Sequence, residues 1–179
     1  MALTQVQGGM ILPSTTLTTP IVATTMGVGG ATPAASGSGI TFPATQSAST
    51  DANTLDDYEE GTWTPVNASI ASITLSVTQA RYIKIGRLVF VTCYLDYPST
   101  SDTNQAKIGG FPFTQLSNNT YSYMSGRTLY SGSKAPVYWQ VQTNSTEAAA
   151  FQSGAGNAVN NNDLSGSYVI FSGCYFAAA

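Results

Sequence analysis

No Asp, Glu, Lys or Arg occurs before Asp51, and five of the nine acids then fall between Asp51 and Glu60. The sequence Asp51-Ala-Asn-Thr-Leu-Asp-Asp-Tyr-Glu-Glu-Gly-Thr-Trp-Thr-Pro65 therefore separates two parts built by different physics: residues 1–50 and residues 51–179. The first part is rich in Thr, Ser, Gly and Ala and is interrupted by Pro13, Pro20, Pro33 and Pro43, so no helical period survives in it. Short extended pieces are expected at residues 10–12, 21–25 and 40–42, with turns at 27–30 and 36–39. Such a segment buries too little apolar surface to offset its own ordering entropy. Residues 1–50 are expected to be an extended stem that attaches and trimerises the protein, ordered by neighbouring copies of the chain.

The second part reads as all β. Leu88, Phe90, Thr92 and Tyr94 share one face of a long run, and Val89, Val91, Cys93 and Leu95 share the other. Apolar residues on both faces mark a central strand, or one held between a core and a subunit contact. Residues 70–77 alternate roughly, with Ile73, Leu75 and Val77 on one side, and Gly166-Ser-Tyr-Val-Ile-Phe-Ser-Gly-Cys-Tyr-Phe176 reads as a closing strand. Shorter strands are expected near residues 107–108, 121–125, 128–130, 137–143 and 148–151, with loops at 98–104 and 157–163. Glu147-Ala-Ala-Ala150 is the one weak helical candidate. Short strands separated by Gly, Asn and Ser turns predict an antiparallel β-sandwich, jelly-roll-like in its strand lengths.

Composition excludes several function classes. Charged residues are 8% of the chain and the net charge is −3. Nucleic-acid binding needs clustered basic residues, and of Arg81, Lys84, Arg87, Lys107, Arg127 and Lys134 only the first three are close in sequence. Without histidine the chain lacks the usual general base near neutral pH and the commonest zinc ligand. No apolar run approaches the roughly 20 residues of a membrane span, so no membrane insertion is expected. Cys93 and Cys174 read as reduced, half-buried thiols, with a bridge between them left open.

The ordered motifs Gly39-Ile-Thr-Phe-Pro-Ala-Thr-Gln-Ser-Ala-Ser49, Leu55-Asp-Asp-Tyr-Glu-Glu-Gly-Thr-Trp-Thr-Pro65, Arg81-Tyr-Ile-Lys-Ile-Gly-Arg-Leu-Val-Phe-Val91, Ile108-Gly-Gly-Phe-Pro-Phe-Thr114 and Ile170-Phe-Ser-Gly-Cys-Tyr-Phe176 resemble the distal module of bacteriophage tail-fibre and other virion-appendage proteins. The resemblance covers residues 39–179. It implies a homotrimeric virion protein, assembled in the host cytoplasm, attached to another virion protein of tail or capsid through its N-terminal segment. About 38 residues precede the matching leader, fewer than the anchor and shaft of most such fibres. That fits a short fibre, a fibre tip docked on another protein, or a capsid fibre.

The candidate chemistry is sparse. Asp56, Asp57, Glu59 and Glu60 lie too close together in sequence to flank a glycosidic bond across a cleft. They are expected to be solvated or paired with Arg81, Lys84 and Arg87, rather than to hold Ca²⁺. Ser131-Gly-Ser-Lys134 and Gly27-Val-Gly-Gly30 lack the helical context that their catalytic or nucleotide-binding readings require. No catalytic residue, metal or cofactor is assigned. Tyr121, Tyr123, Tyr130, Tyr138 and Trp139 form the candidate ligand-binding set, because rigid aromatic faces beside Asn and Ser suit sugar or protein contact. Trp63, Phe111 and Phe113 are assigned to packing. The expected function is a non-enzymatic short fibre or fibre tip, contacting host-surface polysaccharide or protein, or another virion component. A capsid decoration or head-fibre protein is the first alternative and a polysaccharide depolymerase fragment the second.

Overall fold

A computed structural model describes residues 25–46, 48–51, 53–117, 121–129 and 137–178. Eleven strands follow in chain order: β1 (Thr25–Gly27), β2 (Gly39–Thr41), β3 (Tyr58–Thr62), β4 (Val66–Asn67), β5 (Ser76–Ile85), β6 (Leu88–Asp96), β7 (Lys107–Gly109), β8 (Ser122–Leu129), β9 (Val137–Val141), β10 (Ala148–Gln152) and β11 (Tyr168–Phe176). A single 3₁₀ turn, Asn161–Leu164, is the one helical element among the described residues. The chain divides between Pro43 and Ala44 into two units. The pieces expected at 10–12 and 21–24, the Ser131–Lys134 motif and Tyr130 lie outside the described residues.

In the first unit β1 and β2 pair in parallel, Thr25 opposite Gly39. The Thr25 hydroxyl donates to the Ala34 carbonyl at 2.6 Å, and the intervening turn is closed by Ala31 N–H to Val28 O at 2.9 Å. Met26 and Ile40 stay exposed. A two-stranded pair without a covered face is marginal in water by itself.

The second unit is all-β, antiparallel and sandwich-like. Nine strands form one curled sheet in the order β3-β5-β6-β11-β8-β9-β10-β7-β4. Alternation sends Val89, Val91, Cys93 and Leu95 of β6 inward, together with Val169, Phe171 and Tyr175 of β11 and Val137, Trp139 and Val141 of β9. The two ends of the sheet order, β3 and β4, are separated in sequence by Trp63, Thr64 and Pro65 alone. Trp63 bolts that junction to the core. Its backbone N–H donates to Ala80 O at 3.3 Å, its indole N–H donates to Thr92 O at 3.3 Å, and its ring stacks on Phe111 at 4.8 Å.

Two glycines permit the tight geometry. Gly86, with φ 56°, occupies the first position of the two-residue β5–β6 turn, the position a type II′ hairpin reserves for glycine. Gly110 has φ 82° and lies so close to the Thr64 carbonyl that a Cβ would fall 2.3 Å from its oxygen. The bend it allows delivers Phe111 into the core and Phe113 onto its margin. There the Tyr175 hydroxyl donates to Phe113 O at 3.0 Å and accepts from Phe113 N–H at 3.2 Å.

Local differences from the expected pattern have physical reasons. Residues 70–75 are not a strand, and Ile70 is exposed; β5 begins at Ser76, with its register shifted between Val77 and Gln79. Val77 consequently points to solvent while Ile73 and Leu75 pack on the core. The alanines 148–150 form strand β10 rather than a helical turn, because they pair with β9 on one side and β7 on the other. The strands expected at 121–125 and 128–130 are one strand, β8.

Candidate functional site

The aromatic set divides by strand alternation. On β8 and β9 the odd-numbered Tyr123 and the even-numbered Tyr138 share the outer face, since Met124 pairs with Trp139 and Ser125 with Tyr138. Tyr123 is 58% exposed and meets Tyr138 edge-on at 5.6 Å. Tyr138 in turn stacks on Phe151 of β10 at 5.5 Å, directly opposite in register. Tyr121 is exposed just before β8. Gln140 lies on the same face, opposite Tyr123.

Trp139 requires a correction. It is 0% exposed and packs against Phe171 at 5.4 Å in the core, with no surface to offer a ligand. Adjacent strand residues face opposite sides, so Tyr138 and Trp139 cannot serve one surface. Phe151 is the aromatic the sequence reading missed, since its pairing with Tyr138 depends on register.

A second surface covers the outer face of β3-β5-β6-β11-β8. Pairing aligns Tyr58, Ile85, Leu88 and Phe176 in one cross-strand row, and Glu60, Ile83, Phe90 and Cys174 in the next. Phe176 is 56% and Ile85 50% exposed, and Ile83, Leu88 and Phe90 are each close to 40%. Beyond them Arg81, Thr92, Ser172 and Ser125 form a polar row, followed by Gln79, Tyr94, Ile170 and Arg127. Tyr94 meets Tyr168 edge-on at 5.9 Å. Two open grooves mark this face: one of about 470 Å³ along Thr92, Tyr94, Ser125, Arg127 and Ile170, and one of about 430 Å³ along Glu60, Arg81, Ile83 and Phe90. Glu60 stands on the β3 margin and Arg127 on the β8 margin.

Cys93 and Cys174 are free thiols on opposite faces of the sheet. Burial pushes the Cys93 thiol up to about 12, whereas Cys174 is exposed among the apolar outer residues.

The acidic segment is folded rather than solvated throughout. Asp57 and Lys84 form a buried ion pair, with Glu59 Oε1 3.9 Å from the same ammonium. Ser49 N–H donates to Asp56 Oδ2 at 2.8 Å, and this hydrogen bond holds Asp56 below the usual carboxylate range. The Arg87 guanidinium donates to Ala177 O at 3.1 Å instead. Among the described residues no three of His, Cys, Asp and Glu gather as a metal cage, and no helix is long and apolar enough to cross a membrane.

The loops at 98–104 and 157–163 pack on each other. Asn161, 0% exposed, donates through Nδ2 to Asp102 Oδ2 at 2.5 Å and to Ser69 Oγ at 3.1 Å, and accepts from the Tyr97 hydroxyl. Burial, then the Asp102 charge, raises the Tyr97 phenol. The Asn161 hydrogen bond holds the Asp102 carboxyl below its ordinary value. Asn161 N–H to Asn104 O at 2.9 Å and Asn162 N–H to Asp102 O at 2.8 Å complete a braced pair of loops. Comparison of the chain with protein-family models, with curated proteins and with solved structures finds no match.

Proposed function

We propose that the chain is a structural, non-enzymatic bacteriophage virion protein, a short fibre or fibre tip. In this reading it self-associates through the outer face of β3-β5-β6-β11-β8 and presents the Tyr123–Tyr138–Phe151 ladder to a host-surface polysaccharide or protein. The order of sequence motifs supports the appendage reading. The carrying observation is the apolar outer face: Ile83, Ile85, Leu88, Phe90 and Phe176 stand in adjacent rows and in solvent. Soluble monomers rarely expose contiguous apolar surface on this scale without a use for it. Five strands at 4.7–4.9 Å spacing and about 3.3 Å per residue give a face of roughly 20 by 30 Å, about 600 Å², of which the two apolar rows make up about half. That approaches the roughly 800 Å² per partner of a stable interface.

The occupant that fits is a second copy of the chain. Glu60 and Arg127 lie at opposite margins of the face, so a head-to-tail contact brings the acid of one copy beside the base of the next. A head-to-tail contact of suitable rotation closes as a ring, and three copies satisfy the trimer that the resemblance implies. Ile83→Asp with Phe90→Asp is expected to leave a folded β spectrum and reduce the assembled mass in light scattering to that of one chain. A wild-type protein that is monomeric at micromolar concentration would remove the assembly reading. Electron microscopy of virions labelled with an antibody to the chain decides tail against capsid, and loss of adsorption in particles lacking the protein tests host contact. Labelled capsids with unchanged adsorption would favour the decoration reading.

A further inference from the structure

Lys84 is 3% exposed, although lysine is almost never fully buried unless paired. It faces inward from β5, and its Nζ contacts a carboxylate oxygen of Asp57, itself 3% exposed, at the residue where the chain enters β3. Glu59 stands directly opposite Lys84 in the β3–β5 register and brings its Oε1 to 3.9 Å from Nζ. The Phe113 ring lies 5.0 Å from Nζ, and the Gln46 side-chain oxygen accepts from Nζ at 3.1 Å. Gly86 N–H donates to Asp57 O at 2.8 Å, and the Tyr82 hydroxyl donates to Glu59 Oε2 at 3.3 Å.

A buried ion pair by itself is weak support for a fold, because desolvation offsets much of its attraction. This site holds more than a pair needs. It has an amine nucleophile in contact with a carboxyl group and a second carboxylate within reach of the same nitrogen. An aromatic ring excludes water, and backbone hydrogen bonding fixes both partners. Those are the requirements of amide formation. We propose that Lys84 and Asp57 become joined by an isopeptide bond that the folded chain makes for itself.

The step balances without a co-reactant. Moving one proton from the ammonium to the Asp57 carboxylate gives an amine and a carboxylic acid. Lys84 Nζ attacks Asp57 Cγ, and the C–N bond forms. Glu59 accepts the proton that nitrogen sheds and delivers it to the departing hydroxyl. The C–O bond breaks and water leaves beside Glu59, whose side chain is 38% exposed. One amine and one acid give one amide and one water. Two groups held in contact react at a very high effective concentration, which drives the condensation towards the amide. Glu59 is the catalytic residue, and Gln46 and Tyr82 position the reacting groups. Formation of the bond requires only the folded chain, wherever the protein works.

The full chain, purified and denatured, is weighed intact by mass spectrometry. Its mass is expected to fall short of the sequence mass by one water, and digestion should yield a branched peptide carrying both Asp57 and Lys84. Lys84→Arg keeps the charge but removes the nucleophile, and should restore the full mass. Glu59→Gln should restore it in a chain that retains its β spectrum. A wild-type protein of full sequence mass would overturn the proposal and leave an ordinary buried ion pair. So would a linear Asp57 peptide that has itself lost water, the sign of a cyclic imide. Complete water loss in Glu59→Gln would overturn the role given to Glu59.

Discussion

Neighbouring aromatic residues on one strand have opposite fates here. Trp139 fills the core and Tyr138 lies outside. Trp139→Ala is expected to cost about 3–5 kcal/mol, read as a lowered midpoint in urea denaturation. Tyr123→Ala should stay within roughly 0.5 kcal/mol and change adsorption instead. This division was legible in the sequence, because alternation alone forbids both residues one face. The contact between Tyr138 and Phe151 was not legible, because it rests on the register of β9 with β10. The ion pair of Asp57 with Lys84 was hidden for the same reason: its partners are 27 residues apart and meet through β3–β5 pairing. Asp102 supplies a pH dependence. Its carboxyl is lowered in the fold by the Asn161 hydrogen bond, so its contribution is present above the unfolded value of about 3.9 and is lost as pH falls through the lower folded value. Asp102→Asn should therefore flatten the decline of thermal midpoint below about pH 4.

Elements differ in how much of their reason is local. β6 and β11 bury alternate residues over nine positions each, and their existence follows from period two; the inward face of β6 does not, because both of its faces are apolar in sequence. β4, β7 and β10 have two, three and five residues. They are strands because partners from distant sequence satisfy their backbone groups, and Ala148-Ala-Ala150 would favour helix by propensity alone. β11 also contains a tight contact that no pattern announces. A Cβ on Gly173 would lie 2.7 Å from Met124 Cγ and 2.9 Å from its Cα. Gly173→Ala should destabilise by about 1–3 kcal/mol through overpacking, and the paired Met124→Ala should recover part of that loss in a double-mutant cycle. The outer face of the same strand offers a probe. Cys174 should react with a maleimide in a dispersed chain and be protected in the assembled one, while Cys93 should react only after unfolding.

The whole molecule divides at Pro43 rather than at the first charged residue. Gln46 and Ser49 hydrogen-bond Lys84 and Asp56, so part of the uncharged sequence belongs to the sandwich, a fact composition concealed. A chain beginning at Ala44 should melt as the second unit does in the full protein. One beginning at Asp51 should melt lower, because it loses both contacts; scanning calorimetry of the two truncations tests this. The clasp of Lys84 on Asp57 has a mechanical consequence. Tension drawn through the chain from its N-terminal side reaches Asp57 before any residue of β3, so the clasp, held by charge or by the proposed amide, carries the load before the β3–β5 hydrogen bonds do. Load is thus handed at once to β5, which lies between β3 and β6 in the sheet. In a force spectrometer Lys84→Met should lower the rupture force when the chain is pulled from residue 44. The same substitution should matter far less when the pull begins beyond β5, where the clasp lies off the loaded path.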